Sequence, residues 1–214
     1  MKLRILLADD HKMFREALRS MLEKEPDIEI VAEVGDGRDV LRQANETKPD
    51  VVCMDVGMPG LNGIEATRRL VTAHPGVKVI GLSAFSDRRF VLEMLNAGAA
   101  GYVTKAEAGE ELIRAIPAVR RHQTYLCPEV GAGVADALRA GAPDAVSSTP
   151  QLGSREKEVL QLLAEGSTTP QIAARLHLAP STVEVHRRNI MRKLNLHSVA
   201  ELTKYAIRSG LTSV

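Results

Sequence analysis

Five polar residues stand just past the ends of short apolar runs. Asp9 and Asp10 follow RILLA, Asp55 follows DVVCM, Ser83 follows KVIGL, and Lys105 follows GYVT. If those runs are neighbouring strands, three carboxylates gather at one rim and repel one another unless a divalent cation sits among them. Mg²⁺ suits such a set, because it takes one or two carboxylates together with waters and phosphate oxygens. Lys105 adds a positive charge for an oxyanion, and Ser83 a hydroxyl donor. A carboxylate beside Mg²⁺ and a lysine can act as the nucleophile in phosphoryl transfer, a reaction that mainly needs positioning and charge neutralisation. Taken singly, each residue also fits a loop or a helix cap, where Asp and Ser are favoured. The joint placement at four strand ends points to a site.

The elements that must position these groups are legible over the first 120 residues. Apolar runs at Arg4–Ala8, Ile28–Val34, Asp50–Met54, Lys78–Leu82 and Gly101–Thr104 alternate with helical patterns. The helical stretches are Lys12–Glu23, Arg38–Lys48, Gly63–Ala73, Arg88–Ala97 and Glu107–Arg121. The first, third and fourth runs are continuously apolar, as in parallel strands covered on both faces. Five β-α repeats predict a doubly wound α/β domain with a five-stranded parallel sheet over residues 1–122. Its functional groups belong beyond the carboxyl ends of the strands. Pro117 falls inside the last helix, where the lost backbone donor is expected to shorten or kink it.

From 123 to 150 the chain is rich in Ala, Gly, Pro and Ser and reads as a linker, with a weak helix over Pro128–Arg139. Residues 151–214 then carry four punctuated helices, a small all-α unit. Ser154 is expected to cap Arg155–Glu165, and Gly166 to end it. Thr169 and Pro170 start the second helix, Ser181 caps a third through Leu194, and Ser198 caps a fourth through Arg208. In the third, Val183, Ile190 and Leu194 share one face, while Glu184, Val185, Arg188, Asn189 and Arg192 share the other. A basic helical face after a short turn is what reading DNA requires: guanidinium groups for phosphates and guanine, an amide for adenine.

Charge follows this division. Residues 1–122 carry 18 Lys and Arg against 19 Asp and Glu, whereas residues 149–214 carry nine Lys and Arg against five Glu. The acidic front and basic tail imply different partners at the two ends. The two cysteines, Cys53 and Cys127, lack metal spacing and fit a reducing compartment. No apolar run approaches membrane-spanning length, so a cytoplasmic protein with no membrane partner is expected.

The segments LLADDH, DVGMPGLNG, GLSA and GYVTK resemble the signature segments of two-component receiver domains, nearly without gaps over residues 3–121. The resemblance implies Asp55 as phosphoacceptor. It implies Asp10, Asp55 and the backbone carbonyl of Gly57 as Mg²⁺ ligands, with Asp9 supporting the metal from outside. Lys105 would pair with the phosphoryl group, Ser83 would be the switch hydroxyl, and Tyr102 the aromatic that follows it. Residues 152–211 resemble the LuxR-type helix-turn-helix of the NarL/FixJ subfamily through LGSREKEVLQLLAEG, the IAARL–STVEVH–IMRKL spacing and AELTKYAI. That similarity places Glu184, Val185 and Arg188 against bases, with Thr182, Arg187, Arg192 and Lys193 available to phosphates. Glu184 also completes a Ser181-x-x-Glu184 capping box, so its carboxylate has two competing uses. In receivers, the residues two beyond the phosphoacceptor and two beyond the switch hydroxyl flank the hydrolytic water. Here they are Gly57 and Phe85, which offer it no polar group.

The resemblance implies a transcription regulator phosphorylated by a sensor histidine kinase. It would bind a pseudo-palindromic double-stranded DNA site as a homodimer when phosphorylated, with RNA polymerase a further candidate partner. It would be no enzyme beyond its own phosphotransfer and autodephosphorylation. An aspartyl-phosphate phosphohydrolase would want a second carboxylate two residues past the nucleophile as general acid, where this chain has Gly57. A flavodoxin-like binding module would face a pocket that, without metal, repels a cofactor phosphate. A DNA-binding regulator working independently of phosphorylation is the remaining alternative.

Overall fold

The computed structural model describes residues 2–84, 88–139, 152–209 and 211–212. Alternating strands and helices run β1 (Leu3–Ala8), α1 (Lys12–Leu22), β2 (Ile28–Val34), α2 (Gly37–Thr47), β3 (Val51–Asp55), α3 (Gly63–Ala73), β4 (Lys78–Ser83), α4 (Arg88–Asn96), β5 (Gly101–Thr104) and α5 (Ala108–Arg120). The strands pair in parallel in the order β2-β1-β3-β4-β5, so the order reverses between β1 and β3. Ligands of open parallel sheets bind at such a reversal, beyond the strand carboxyl ends. β3 is buried along its whole length and β4 over its last five residues, which is why both read as unbroken apolar runs. Cys53 lies in β3, fully buried, and burial pushes its thiol up to about 12.

Beyond α5 the structure departs from the sequence pattern. A sixth strand, β6 (Tyr125–Leu126), adds to β5 in parallel, so the sheet has six strands rather than five. α6 (Pro128–Arg139) follows, and Cys127 and Val130 are buried in the same core cluster as β1 and β3. Tyr125, Leu126, Cys127, Val130 and Val134 thus join the core of the sheet domain, although the composition here reads as the start of a linker. Two strand residues are too few to show alternation, which hides β6 from any periodicity argument. The Ala-Gly-Pro-Ser stretch from 140 to 150, read as linker, lies outside the described residues. Pro117 does not shorten α5, which continues to Arg120. The proline is on the exposed side of the helix, where water can satisfy the carbonyl left without its usual amide partner.

The C-terminal unit contains α7 (Ser154–Ala164), α8 (Thr169–Leu176), α9 (Pro180–Leu194) and α10 (Val199–Arg208) around a second core that includes Val159, Leu160, Ile172, Val183, Ile190 and Leu202. Val183 and Ile190 are fully buried and Leu194 packs partly against this core, so the apolar face of α9 is the one its spacing predicts. Gly166, at φ +83°, follows α7 as expected, and Ser198 caps α10 by accepting from the Glu201 amide. Two expected caps shift by one or two residues. α7 is capped at Gly153, whose amide donates to Glu156. α9 has Ala179 at its cap and Pro180 as its first helical residue, so Ser181 lies within the first turn. Among the described residues no helix is long and apolar enough to cross a membrane.

Candidate functional site: an acidic pocket and a basic helix

β1 ends at Ala8 and hands the chain to Asp9 and Asp10, next to Asp55 at the end of the neighbouring β3. Asp9 and Asp55 are almost fully buried. Lys105, just past β5, reaches back between them, with Nζ 2.6 Å from Asp9 Oδ2 and 2.9 Å from Asp55 Oδ2. The ring of Phe14 lies 5.1 Å from the same ammonium and shields it. The remaining oxygen of Asp9 accepts the His11 amide at 2.8 Å, and Asp55 Oδ1 accepts the Gly57 amide at 3.2 Å. Asp10 Oδ1 lies 2.7 Å from His11 Nδ1. Carboxylate oxygens of Asp9, Asp10 and Asp55 and a ring nitrogen of His11 all fall within 4.8 Å of one another.

Crowding sets the electrostatics. Burial, then the neighbouring Asp9 charge, pushes the Asp55 carboxyl up to about 6, against the opposing pull of Lys105. Burial alone would lower Lys105, but Asp55 and Asp9 more than reverse it and hold the ammonium above its ordinary value. One lysine therefore serves two carboxylates, with a third beside them. That donor set, hard oxygens with excess negative charge, fits a small divalent cation such as Mg²⁺. Asp9 and Asp55 each carry a partner on both oxygens, the Lys105 ammonium on one and a backbone amide on the other.

Ser83 closes β4 and is nearly buried, and its carbonyl accepts the Lys105 amide at 2.7 Å. Tyr102 is fully buried on β5 opposite Gly81. A Cβ on Gly81 would stand 3.1 Å from the tyrosine ring and 2.9 Å from Met94, so this glycine makes room for the inward ring. Phe85 lies outside the described residues. A side chain at Gly57 would meet nothing within 4 Å. The sequence reading did not single out His11 and Phe14. Adjacency to Asp10 could have flagged the histidine, whereas nothing local flags the ring.

On α9, Val185 is 44% exposed, and Arg188 and Arg192 are exposed. Thr182, Arg187 and Asn189 are half-buried beside them, and Asn189 Oδ1 accepts from Arg192 at 3.1 Å. Lys193 is turned away from this group: its ammonium lies 2.7 Å from Glu156, at the start of α7. Glu184 does not cap α9. Its Oε1 accepts the Thr169 hydroxyl from α8 at 2.6 Å.

The two units touch through α7, a contact that no local pattern announces. Gln161 is fully buried. Its Nε2 donates to the Met58 carbonyl at 2.9 Å, and its Oε1 accepts from the backbone and side-chain amides of Asn62 at 3.2 and 3.3 Å. The Gly60 amide donates to Glu165 at 3.1 Å, and Arg69 pairs with Glu158. The helix thus grips the loop that follows β3 and Asp55.

Comparison with known proteins agrees with both halves. Residues 5–117 match the response regulator receiver domain family, and residues 150–206 match the luxR family of bacterial regulatory proteins. The response regulator GacA of Pseudomonas viridiflava is 36% identical over 98% of this chain and 97% of its own. The response regulator UvrY of Escherichia coli K12 is 35% identical over 97% and 94%. The RcsB response regulator of Salmonella typhimurium, 23% identical over 99% of both chains, shares the fold with a TM-score of 0.68. The chain belongs to the two-component response regulators of the NarL/FixJ family, with a receiver domain followed by a LuxR-type helix-turn-helix domain.

Proposed function

We propose that Asp55 takes a phosphoryl group from a sensor histidine kinase and that this event controls DNA binding through α9. The observation that carries the reading is the buried Asp55 carboxylate, 2.9 Å from Lys105 Nζ, with Asp9 and Asp10 alongside. Asp10, Asp55 and the Gly57 carbonyl would hold Mg²⁺, with Asp9 behind them; when bound, the ion neutralises charge on the transferring phosphoryl group. One Asp55 carboxylate oxygen forms the new bond to phosphorus while the bond to the donor's leaving atom breaks. Lys105 is placed to move from carboxylate to phosphoryl oxygen as negative charge builds there. Ser83, at the neighbouring strand end, offers the phosphoryl group a hydroxyl donor, and the Tyr102 ring follows it. The catalysis is confined to the chain's own phosphotransfer and dephosphorylation.

On the output side, α9 enters the major groove with Glu184, Val185 and Arg188 at base edges and Thr182, Arg187 and Arg192 toward phosphates. One helix-turn-helix unit buries little DNA surface, so two copies, paired on phosphorylation, occupy the halves of a pseudo-palindrome. Incubation with a small-molecule phosphodonor and Mg²⁺ should add one phosphoryl group to the chain and none to Asp55→Asn. Undiminished labelling of the variant would remove the assignment.

A further inference from the structure

The carboxylate of Glu184 is out of place on the proposed DNA-facing side of α9. It shares that side with Arg188 and Arg192 at four-residue spacing and with the exposed Val185. A carboxylate pressed against phosphates is repelled, so it is tolerated in such an interface only where it meets a hydrogen-bond donor. Helix capping does not account for it. With Ala179 as cap and Pro180 first in the helix, the third helical position is Thr182, and Glu184 comes two residues too late to reach back to the cap.

The other four glutamates of this domain have cationic or backbone partners that explain them. Glu156 takes Lys193 and the Gly153 amide, and Glu158 takes Arg155 and Arg69. Glu165 takes Gln161 and the Gly60 amide, and Glu201 the His197 amide. Glu184 differs in kind. Its close partner among the described residues is the neutral Thr169 hydroxyl at 2.6 Å, while Arg187 stands off at 3.8 Å. A hydroxyl donor orients a carboxylate without cancelling its charge. Thr169 opens α8, and its branched side chain has few rotamers, so the bond fixes Glu184 from a neighbouring helix. The side chain of Glu184 remains 43% exposed, which leaves acceptor capacity toward the groove.

We propose that Glu184, positioned by Thr169, reads a cytosine in each half-site by accepting its exocyclic N4 amino group. The proposal rests on α9 being the DNA-reading helix. Among base edges in the major groove, the cytosine amino group is the donor that a carboxylate matches, and a pre-set acceptor engages it without first being ordered. Thr169 is here a positioning residue that touches no base.

The full-length chain, treated with phosphodonor and Mg²⁺, is used to select sequences from a random duplex library. Wild type should enrich cytosine at one position per half-site. Glu184→Ala should lose about tenfold of that preference, with other positions unchanged and non-specific affinity raised by removal of a negative charge. Thr169→Val should retain the same site but lose roughly threefold to tenfold of the cytosine preference, and Thr169→Ser should restore it. Glu184 is half-exposed, so its variant folds, and circular dichroism of both Thr169 variants verifies theirs. Unchanged cytosine preference in Glu184→Ala overturns the proposal, as does enrichment of adenine or a loss equal at every position. Equal preference in Thr169→Val and wild type removes Thr169 from it. A wild-type chain that selects no sequence refutes the reading of α9 itself, a failure distinct from the loss of one base.

Discussion

Replacing Asp55 with asparagine should stabilise the metal-free protein at neutral pH, although it removes the proposed phosphoacceptor. The Asp55 carboxyl is raised from an ordinary 3.8 to about 6, first by burial and then by Asp9. A folded state that raises an acid's pKa binds protons more tightly than the unfolded chain does. Stability therefore falls as pH rises from about 4 through 6, and the ionised carboxylate opposes folding above that window. At about 1.4 kcal/mol per unit, a shift of roughly two units amounts to about 3 kcal/mol, with little discount because the side chain is buried. Asparagine resembles the protonated acid: it keeps an acceptor for the Gly57 amide and removes one of the two carboxylates around Lys105, which retains Asp9. For a chain of this size the gain corresponds to a rise in Tm of about 6–12 °C. Thermal unfolding of wild type and Asp55→Asn in chelator should show that gap near pH 7.5 and a much smaller one near pH 4.5. Adding Mg²⁺ should stabilise wild type more than the variant and narrow the gap. A variant no more stable than wild type at neutral pH, or an offset constant across the range, would show that crowding of carboxylates does not set the energetics of the pocket.

Arg188→Ala should weaken binding by about 1–3 kcal/mol if the guanidinium reads guanine, with specificity relaxed at one position. A loss equal across all sequences in an equilibrium binding assay would make Arg188 a phosphate contact instead. Gly57→Asn has open space for its side chain and should fold normally while losing its phosphoryl group faster than wild type in a donor-free, Mg²⁺-containing decay assay. Decay at the wild-type rate would show that this position does not govern access of water. Gln161→Ala leaves the Met58 carbonyl and the Asn62 amide without partners and should weaken the contact between the domains by about 1–3 kcal/mol. Faster hydrogen exchange at residues 58–62 is the expected signature, and unaltered protection would deny Gln161 that role.

The acidic pocket was legible because its residues sit at strand ends, and strand ends are marked by where an apolar run stops. Asp9, Asp10, Asp55, Ser83 and Lys105 each follow such a run, so a one-dimensional pattern with a known topology brings them to one rim. The faces of α9 were legible for a similar reason, through helical spacing. What stayed hidden depends on pairings remote in sequence or on choices made by one or two residues. β6 has only two residues. The pairing of Lys193 with Glu156, 37 residues away, is invisible to helical spacing. The start of α9 at Pro180 moves Glu184 out of reach of the cap and toward Thr169. Gln161 is an ordinary polar residue of α7 until the receiver loop arrives against it.

That last contact makes the DNA-binding domain a tethered ligand of its own receiver. Thermodynamic linkage makes any such influence mutual: a change at Asp55 that loosens Gln161 from Met58 and Asn62 by some factor is matched by an equal factor in the opposite direction. A DNA geometry that draws α7 off this loop would raise the affinity of the pocket for whatever occupant loosens the grip. An isolated receiver, stripped of Gln161, would report the chemistry of a loop already set free. Phosphorylation measured on that fragment and on the intact chain would then differ by the free energy that couples the clasp to the pocket, and an operator would count among the effectors of the site it obeys.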